Sequence, residues 1–271
     1  MTGGLEEVRL PGIRAWIAPA APEAAAVRAA LPHLADAAES FPLLPTHNRM
    51  NRVRRIALPG AEGPYILKEG WCNPVYPAGR RFCRRVRLWT SMPAVRAMRL
   101  ALAFAAAGFA VLRPVACWRE RRPGMGLCHF FLYPEVAARG SLADFIVFRE
   151  NGMPVFRDFP AKTRDALARA LRRVHEAGFL HLDPAPGNVL LRPDAPAVPE
   201  EKDFVWIDVE SLRKGRAGEA ATRGEKRRRA FSMDRLLRVF PPGEREAFAA
   251  TYAGDDDPAG WIDLFRQSAA K

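Results

Sequence analysis

The chain has 271 residues, with 42 Lys and Arg against 30 Asp and Glu, for a formal net charge of +12. At 49% hydrophobic and 27% charged, its composition is that of one large folded domain or two lobes around a cleft, not of a disordered chain. It holds no run of about 18 apolar residues, so no membrane-spanning helix is expected.

The predicted elements begin with an Ala- and Pro-rich segment in which Pro22 to Ala38 reads as a helix. Arg52–Leu58 and Tyr65–Glu69 read as strands around the turn Pro59-Gly60-Ala61-Glu62-Gly63. A helix over Met92–Ala107 follows, with Ser91 as N-cap and Gly108 as its stop. Two more strands are expected over Ala110–Trp118 and Gly126–Tyr133. Beyond Pro134 the pattern turns helical. A short helix is expected over Ser141–Phe148, and a long one over Asp158–Ala177, capped by Asp158, with Leu167, Leu171 and Val174 as its buried stripe. Val189–Leu191 and Phe204–Val209 read as buried strands, and helices near Phe231–Phe240, Glu244–Tyr252 and Ala259–Ser268 close the chain. The expected organisation is a β-rich lobe over residues 1–134 and a helical lobe over residues 135–271, with a hinge near Glu135–Arg139.

The charge is local. Residues 1–48 carry a net −2, residues 49–122 carry +13 and residues 123–271 carry +1. No Asp or Glu occurs between Gly70 and Arg119. This segment and Arg213–Arg229 have two readings, a solvated Arg-rich face and a surface that captures an anionic acceptor. Basic and aromatic residues do not interleave as in RNA binders, so nucleic acid is not the expected partner. The acidic start MTGGLEEVRLPG reads as no secretory leader. The four Cys show no C-x-x-C spacing, so a reducing cytoplasm is the expected compartment.

Chemistry concentrates in His181-Leu-Asp183-Pro-Ala-Pro-Gly-Asn188-Val-Leu-Leu191, a polar loop between a helix that ends at a Gly and a buried strand. Asp183 is placed to take a proton from an attacking hydroxyl. Asn188 offers a side-chain oxygen to a hard cation, and Asp208 adds a carboxylate at the end of the next buried strand. One amide oxygen, one carboxylate and nucleotide phosphates make a coherent magnesium site. His181 reads as structural support for the loop, not as a proton carrier. His175 reads as a helix-end group, and Trp71, Trp89 and Trp118 as packing residues. Lys68 stands out because the chain uses 36 Arg but only 6 Lys, and no other Lys precedes Lys162. A compact ammonium on a strand can clamp phosphates as a point charge.

H-x-D-x-x-x-x-N followed by a strand-borne Asp resembles the catalytic loop and metal-binding Asp of the protein-kinase-like fold. Its local flavour is similar to the bacterial lipopolysaccharide kinases, which phosphorylate Kdo or heptose of the inner core. The resemblance takes in Tyr65-Ile-Leu-Lys68, the run Ala105-Ala-Ala-Gly108-Phe-Ala-Val-Leu-Arg-Pro114 and Asp234-Arg-Leu-Leu, roughly residues 48–252. It implies an α+β, two-lobed kinase fold that transfers the γ-phosphoryl of ATP with Mg2+. In that reading Asp183 is the catalytic residue, Asn188 and Asp208 hold the metal, and Lys68 holds the α/β-phosphates. Arg49, Asn51 or Arg52 in the Gly-free segment Thr46–Val53 is expected to contact phosphate by side chain, and backbone near Glu135 to meet adenine. The implied acceptor is an anionic glycolipid or sugar, with peripheral contact to the inner face of the inner membrane. Rival readings are a RIO-like protein kinase, a small-molecule phosphotransferase, and a nucleotide-binding pseudokinase. The pseudokinase reading draws on one departure: the expected helix over Met92–Ala107 has no Glu to pair with Lys68, its aligned position being Ala97 or Met98.

Overall fold

The structure is a computed structural model that describes residues 4–44, 51–70, 93–122, 126–150, 152–218 and 222–269. The chain divides into two compact units. The first comprises residues 1–103 and 112–136, and the second residues 104–111 and 137–271. Among the described residues, no helix is long and apolar enough to cross a membrane.

The first unit is built on a six-stranded antiparallel sheet in the order β1-β2-β5-β6-β4-β3. Its strands are β1 (Glu6–Leu10), β2 (Ile13–Ile17), β3 (Asn51–Ala57), β4 (Pro64–Gly70), β5 (Ala116–Arg122) and β6 (Gly126–Pro134). Helices α1 (Ala24–Ala30) and α2 (Leu34–Ala38) follow the first hairpin, and α3 (Pro93–Ala106) precedes β5. Period-2 alternation gives the sheet two faces. One carries Leu67, Trp118, Phe130 and Leu132, which form a core with Val27 of α1 and Leu34 of α2. Trp118 stacks on Phe130 at 4.9 Å, so it is a packing residue. Each such fully buried side chain contributes roughly 1.5–3 kcal/mol. The other face carries Lys68, Cys117 and Phe131, which stand opposite one another across β4, β6 and β5.

Two differences from the sequence reading have local causes. The helix expected over Pro22–Ala38 is two short helices, broken where Pro32 supplies no N–H. The β1–β2 hairpin was not expected. Its signal is present, because Val8, Leu10, Ile13, Ala15 and Ile17 alternate with Arg9, Arg14 and Trp16 around Pro11-Gly12. Gly12 takes the left-handed conformation, φ 75°, that the tight turn requires.

The second unit continues with β7 (Gly140–Ser141), a 3-10 turn over Leu142–Phe145, β8 (Ile146–Phe148), β9 (Pro154–Phe156) and α4 (Ala161–Glu176). Then come β10 (Phe179–His181), β11 (Val189–Leu191), β12 (Phe204–Trp206) and β13 (Leu212–Lys214). Helices α5 (Arg223–Ser232), α6 (Asp234–Leu237), α7 (Pro242–Ala253) and α8 (Pro258–Ala269) close it. Residues 141–148 are not one helix, because Ile146-Val147-Phe148 is a β-branched and aromatic run that pairs with β9. Asp158 does not cap α4. It stands two residues before the N-cap Pro160, in a left-handed conformation. The stripe Leu167, Leu171 and Val174 is fully buried as expected. Residues 110–114 are not part of β5. The Ala110 carbonyl accepts the Trp206 N–H at 3.0 Å, a bond within the second unit. Residues 223–229 of the basic segment Arg213–Arg229 belong to helix α5, capped by Thr222, whose hydroxyl accepts the Glu225 N–H at 3.2 Å.

Candidate active site

Two short antiparallel pairs bring the motif residues together. In the first, β10 pairs with β13 so that His181 stands opposite Leu212, and the Leu182 N–H donates to the Ser211 carbonyl at 3.1 Å. Asp183 follows directly. In the second, β11 pairs with β12, with Val189 opposite Trp206, and the Ile207 N–H donates to the Asn188 carbonyl at 3.0 Å. Asn188 closes the 3-10 turn Pro186–Asn188, and Asp208 follows β12. Asp183, Asn188 and Asp208 therefore gather at one end of the two strand pairs.

Their hydrogen bonds define the loop. The Asn188 Nδ2 donates to the Asp183 carbonyl at 2.9 Å, which braces the turn and keeps the amide oxygen as an acceptor. Asp183 Oδ2 is 2.7 Å from Arg235 Nη1 on α6, while Oδ1 is buried and has no hydrogen-bond partner among the described residues. Asp208 takes a left-handed backbone, φ 58° and ψ 51°. For a non-glycine residue this costs of order 1–3 kcal/mol, and such strain concentrates at functional sites.

His181 is buried and joins the two loops. Its Nε2 donates to the Ile207 carbonyl at 2.8 Å, which leaves Nδ1 as the acceptor for the Asp183 N–H at 3.3 Å. The Ser211 hydroxyl lies 3.1 Å from the same Nδ1 and donates to the Asp208 carbonyl at 2.8 Å. Burial lowers the His181 pKa, which keeps the ring neutral in this bridging tautomer. His175 is a second buried histidine. Its Nδ1 is 2.5 Å from the Tyr252 hydroxyl and its Nε2 is 3.1 Å from Ser232 Oγ. It lies in the last turn of α4, as expected of a helix-end group, and from there its buried ring ties α4 to α7 and α5.

The donor set suits a hard divalent cation. The Asn188 amide oxygen and the Asp208 carboxylate are the oxygen types such an ion takes, and phosphate or water can complete the shell. The unpartnered, buried Asp183 Oδ1 is a polar atom set to receive a donor from outside the chain, such as a hydroxyl.

The other expected site residues stand in the first unit. Lys68 is on β4, opposite Val53 of β3 and Phe131 of β6. Glu69 points to the opposite face, is 4% exposed and lies 4.0 Å from Arg122. Helix α3 carries no acid, and at the aligned positions Ala97 and Met98 are buried. Asn51 is the first residue of β3, paired with Gly70. Glu135 is ion-paired with Arg55 at 2.7 Å, and its N–H donates to the Pro64 carbonyl, so that donor belongs to the sheet. Arg49, Trp71, Trp89 and the run Arg80–Arg85 lie outside the described residues. Arg235 and Ser211 were not expected as site residues. Arg235 is 52 residues from Asp183, so no local pattern marks it.

The sequence model described as the lipopolysaccharide kinase (Kdo/WaaP) family matches residues 81–252, well over half of the chain. The chain belongs to that family. It is a phosphotransferase with an alcohol group as acceptor. The matched span holds Asp183, Asn188, Asp208 and Arg235 and begins after Lys68 and the β1–β2 hairpin. No curated protein matches the sequence. A solved structure described as WaaP in complex with acyl carrier protein is similar, with a TM-score of 0.51 and 20% identity. The likeness covers 87% of this chain and 90% of that one. At that identity it speaks for the fold, which is kinase-like.

Proposed function

We propose that this lipopolysaccharide kinase transfers the γ-phosphoryl group of ATP to a hydroxyl of an inner-core sugar, Kdo or heptose. Asp183 orients that hydroxyl and takes its proton at Oδ1. Asn188 and Asp208 hold Mg2+, which when bound neutralises charge on the transferred phosphoryl. Lys68 clamps the α/β-phosphates, with Arg49 and Asn51 beside the phosphate chain and backbone near Glu135 at the adenine. Most of the rate then comes from positioning and charge neutralisation. The carrying observation is the gathering of Asp183, Asn188 and Asp208 on one hydrogen-bonded frame, with Asp208 in a strained backbone. The enzyme works in the cytoplasm, at the inner face of the inner membrane where its lipid-borne acceptor is presented.

The test is labelled ATP against a panel of acceptors: inner-core lipopolysaccharide, free Kdo and heptose, a small aminoglycoside and a protein substrate. Because the WaaP neighbour is a complex with acyl carrier protein, the assay is run with and without that protein. Label should enter the inner-core glycolipid. Asp208→Asn should bind Mg-ATP poorly and lose turnover. Parent-like turnover by this variant would refute the metal assignment, and label only in protein or aminoglycoside would refute the acceptor.

A further inference from the structure

The β1–β2 hairpin adds more than an edge to the sheet. Arg9 of β1 stands opposite Arg14 of β2, and Arg14 stands opposite Arg119 of β5. Residues directly opposite in antiparallel strands share a face, with Cβ atoms about 5 Å apart. Arg121, two residues beyond Arg119, points the same way. Four guanidinium side chains thus stand on one patch of the face that also carries Lys68. Together they line an open cleft of about 440 Å3, with the half-buried Leu10 and Leu127 at its rim. Among the described residues that line it there is no acid. Glu7 is the carboxylate beside the patch, and it bridges Arg9 at 2.7 Å and Arg14 at 2.8 Å.

Like charges directly opposite on neighbouring strands destabilise a sheet. At Arg119, burial and then the positive charge of Arg14 lower the pKa, while the Glu7 carboxylate opposes them. Among the described residues, one carboxylate, Glu7, stands beside four arginines, so the patch carries a net positive charge that favours an anionic ligand. Planar guanidinium forks bind phosphate oxygens in pairs, and the aliphatic rim suits the start of an acyl or glycerol chain. Two of the four arginines sit on the hairpin that precedes the family match, so the cleft is assembled jointly by that hairpin and the family's own strand β5.

We propose that this cleft binds the phosphate of a lipid headgroup and holds the enzyme against the membrane that carries its acceptor. The purpose rests on the proposed glycolipid acceptor; the binding itself needs neither nucleotide nor phosphoryl transfer, so the two can fail separately.

The experiment is co-sedimentation of the full chain with phosphatidylglycerol–phosphatidylcholine vesicles, with pure phosphatidylcholine vesicles, and with free pyrophosphate as competitor. The parent should bind the anionic vesicles, release them as salt rises, and ignore the neutral ones. Each Arg removed should weaken partitioning about fivefold, so Arg14→Gln with Arg119→Gln should lose about 25-fold. The same double variant should unfold close to the parent's temperature, because the repulsive Arg14–Arg119 pair and the partly exposed Arg14–Glu7 ion pair are lost together. Arg9→Gln with Arg121→Gln, on more exposed side chains, provides the same readout if the first pair folds poorly. Arg14→Lys with Arg119→Lys should keep most of the binding. The proposal is overturned if the neutralised variants bind as the parent does. It is also overturned if they lose stability and binding together, or if pyrophosphate binds at the cleft while anionic vesicles do not.

Discussion

Arg235 Nη1 lies 2.7 Å from Asp183 Oδ2, across 52 residues of sequence. Arg235 is 67% exposed at its side chain, so the pair contributes little to stability, about 0–1 kcal/mol. Its consequence is orientation. One carboxylate oxygen is tethered to α6, and the other is left buried and unpartnered for an incoming hydroxyl. Arg235→Ala should leave the unfolding temperature nearly unchanged and lower kcat about 10- to 100-fold with a smaller change in nucleotide KM. Arg235→Lys should restore part of the loss. Steady-state kinetics beside thermal unfolding checks both, and an unchanged kcat would refute the tether.

His181 carries the geometry between the loops through its bonds to the Ile207 carbonyl and the Asp183 N–H. His181→Phe keeps the ring and removes both bonds. It should destabilise the protein by about 1–3 kcal/mol. It should also raise the Mg2+ concentration needed for half-maximal turnover, because Asp208 directly follows Ile207. Calorimetry and a Mg2+ titration of activity separate the two effects.

His175 is fully buried, and desolvation pushes its pKa down to about 3. The neutral ring therefore belongs to the folded state. Stability from this group is fully present above the ordinary histidine value near 6.5 and is lost as pH falls toward about 3. His175→Asn should lose stability at neutral pH through its lost hydrogen bonds to the Tyr252 and Ser232 hydroxyls, by about 1–3 kcal/mol. It should also flatten the acid limb of stability against pH, measured by denaturant unfolding.

Glu120 faces the opposite way in sign. Its pKa is raised, first by burial, and with Glu69, Asp36 and Glu39 it shares the single guanidinium of Arg122. Stability from its neutral form is present below the usual glutamate value near 4.3 and is lost as pH rises through its raised folded value. Glu120→Gln should therefore raise the unfolding temperature at pH 7 and have little effect at pH 4. A lower unfolding temperature at pH 7 would show that Arg122 needs all four carboxylates.

The catalytic-loop spacing was legible because it is local. Asp183 and Asn188 are five residues apart, and their relation is set by one turn whose Asn188 side chain bonds the Asp183 carbonyl. The α4 stripe Leu167, Leu171 and Val174 was legible for the same reason, since helical periodicity acts within a few residues. The β1–β2 hairpin was written in alternation too short to stand out in an Ala- and Pro-rich segment. Helix α5 was hidden under its charge, although Thr222-x-x-Glu225 marks its start.

By itself the sequence determined the chemistry available: a carboxylate, an amide and a second carboxylate at kinase spacing, a lone strand lysine, and an acid-free basic stretch. Only the tertiary structure decided which long-range neighbours complete it. It set Arg235 on Asp183, brought Arg122 to Glu69, and laid Arg9 and Arg14 beside Arg119. Those pairings depend on strand register and helix packing between segments tens to more than a hundred residues apart. No local periodicity encodes them, because a shift of one residue in register would turn every side chain of a strand to the other face.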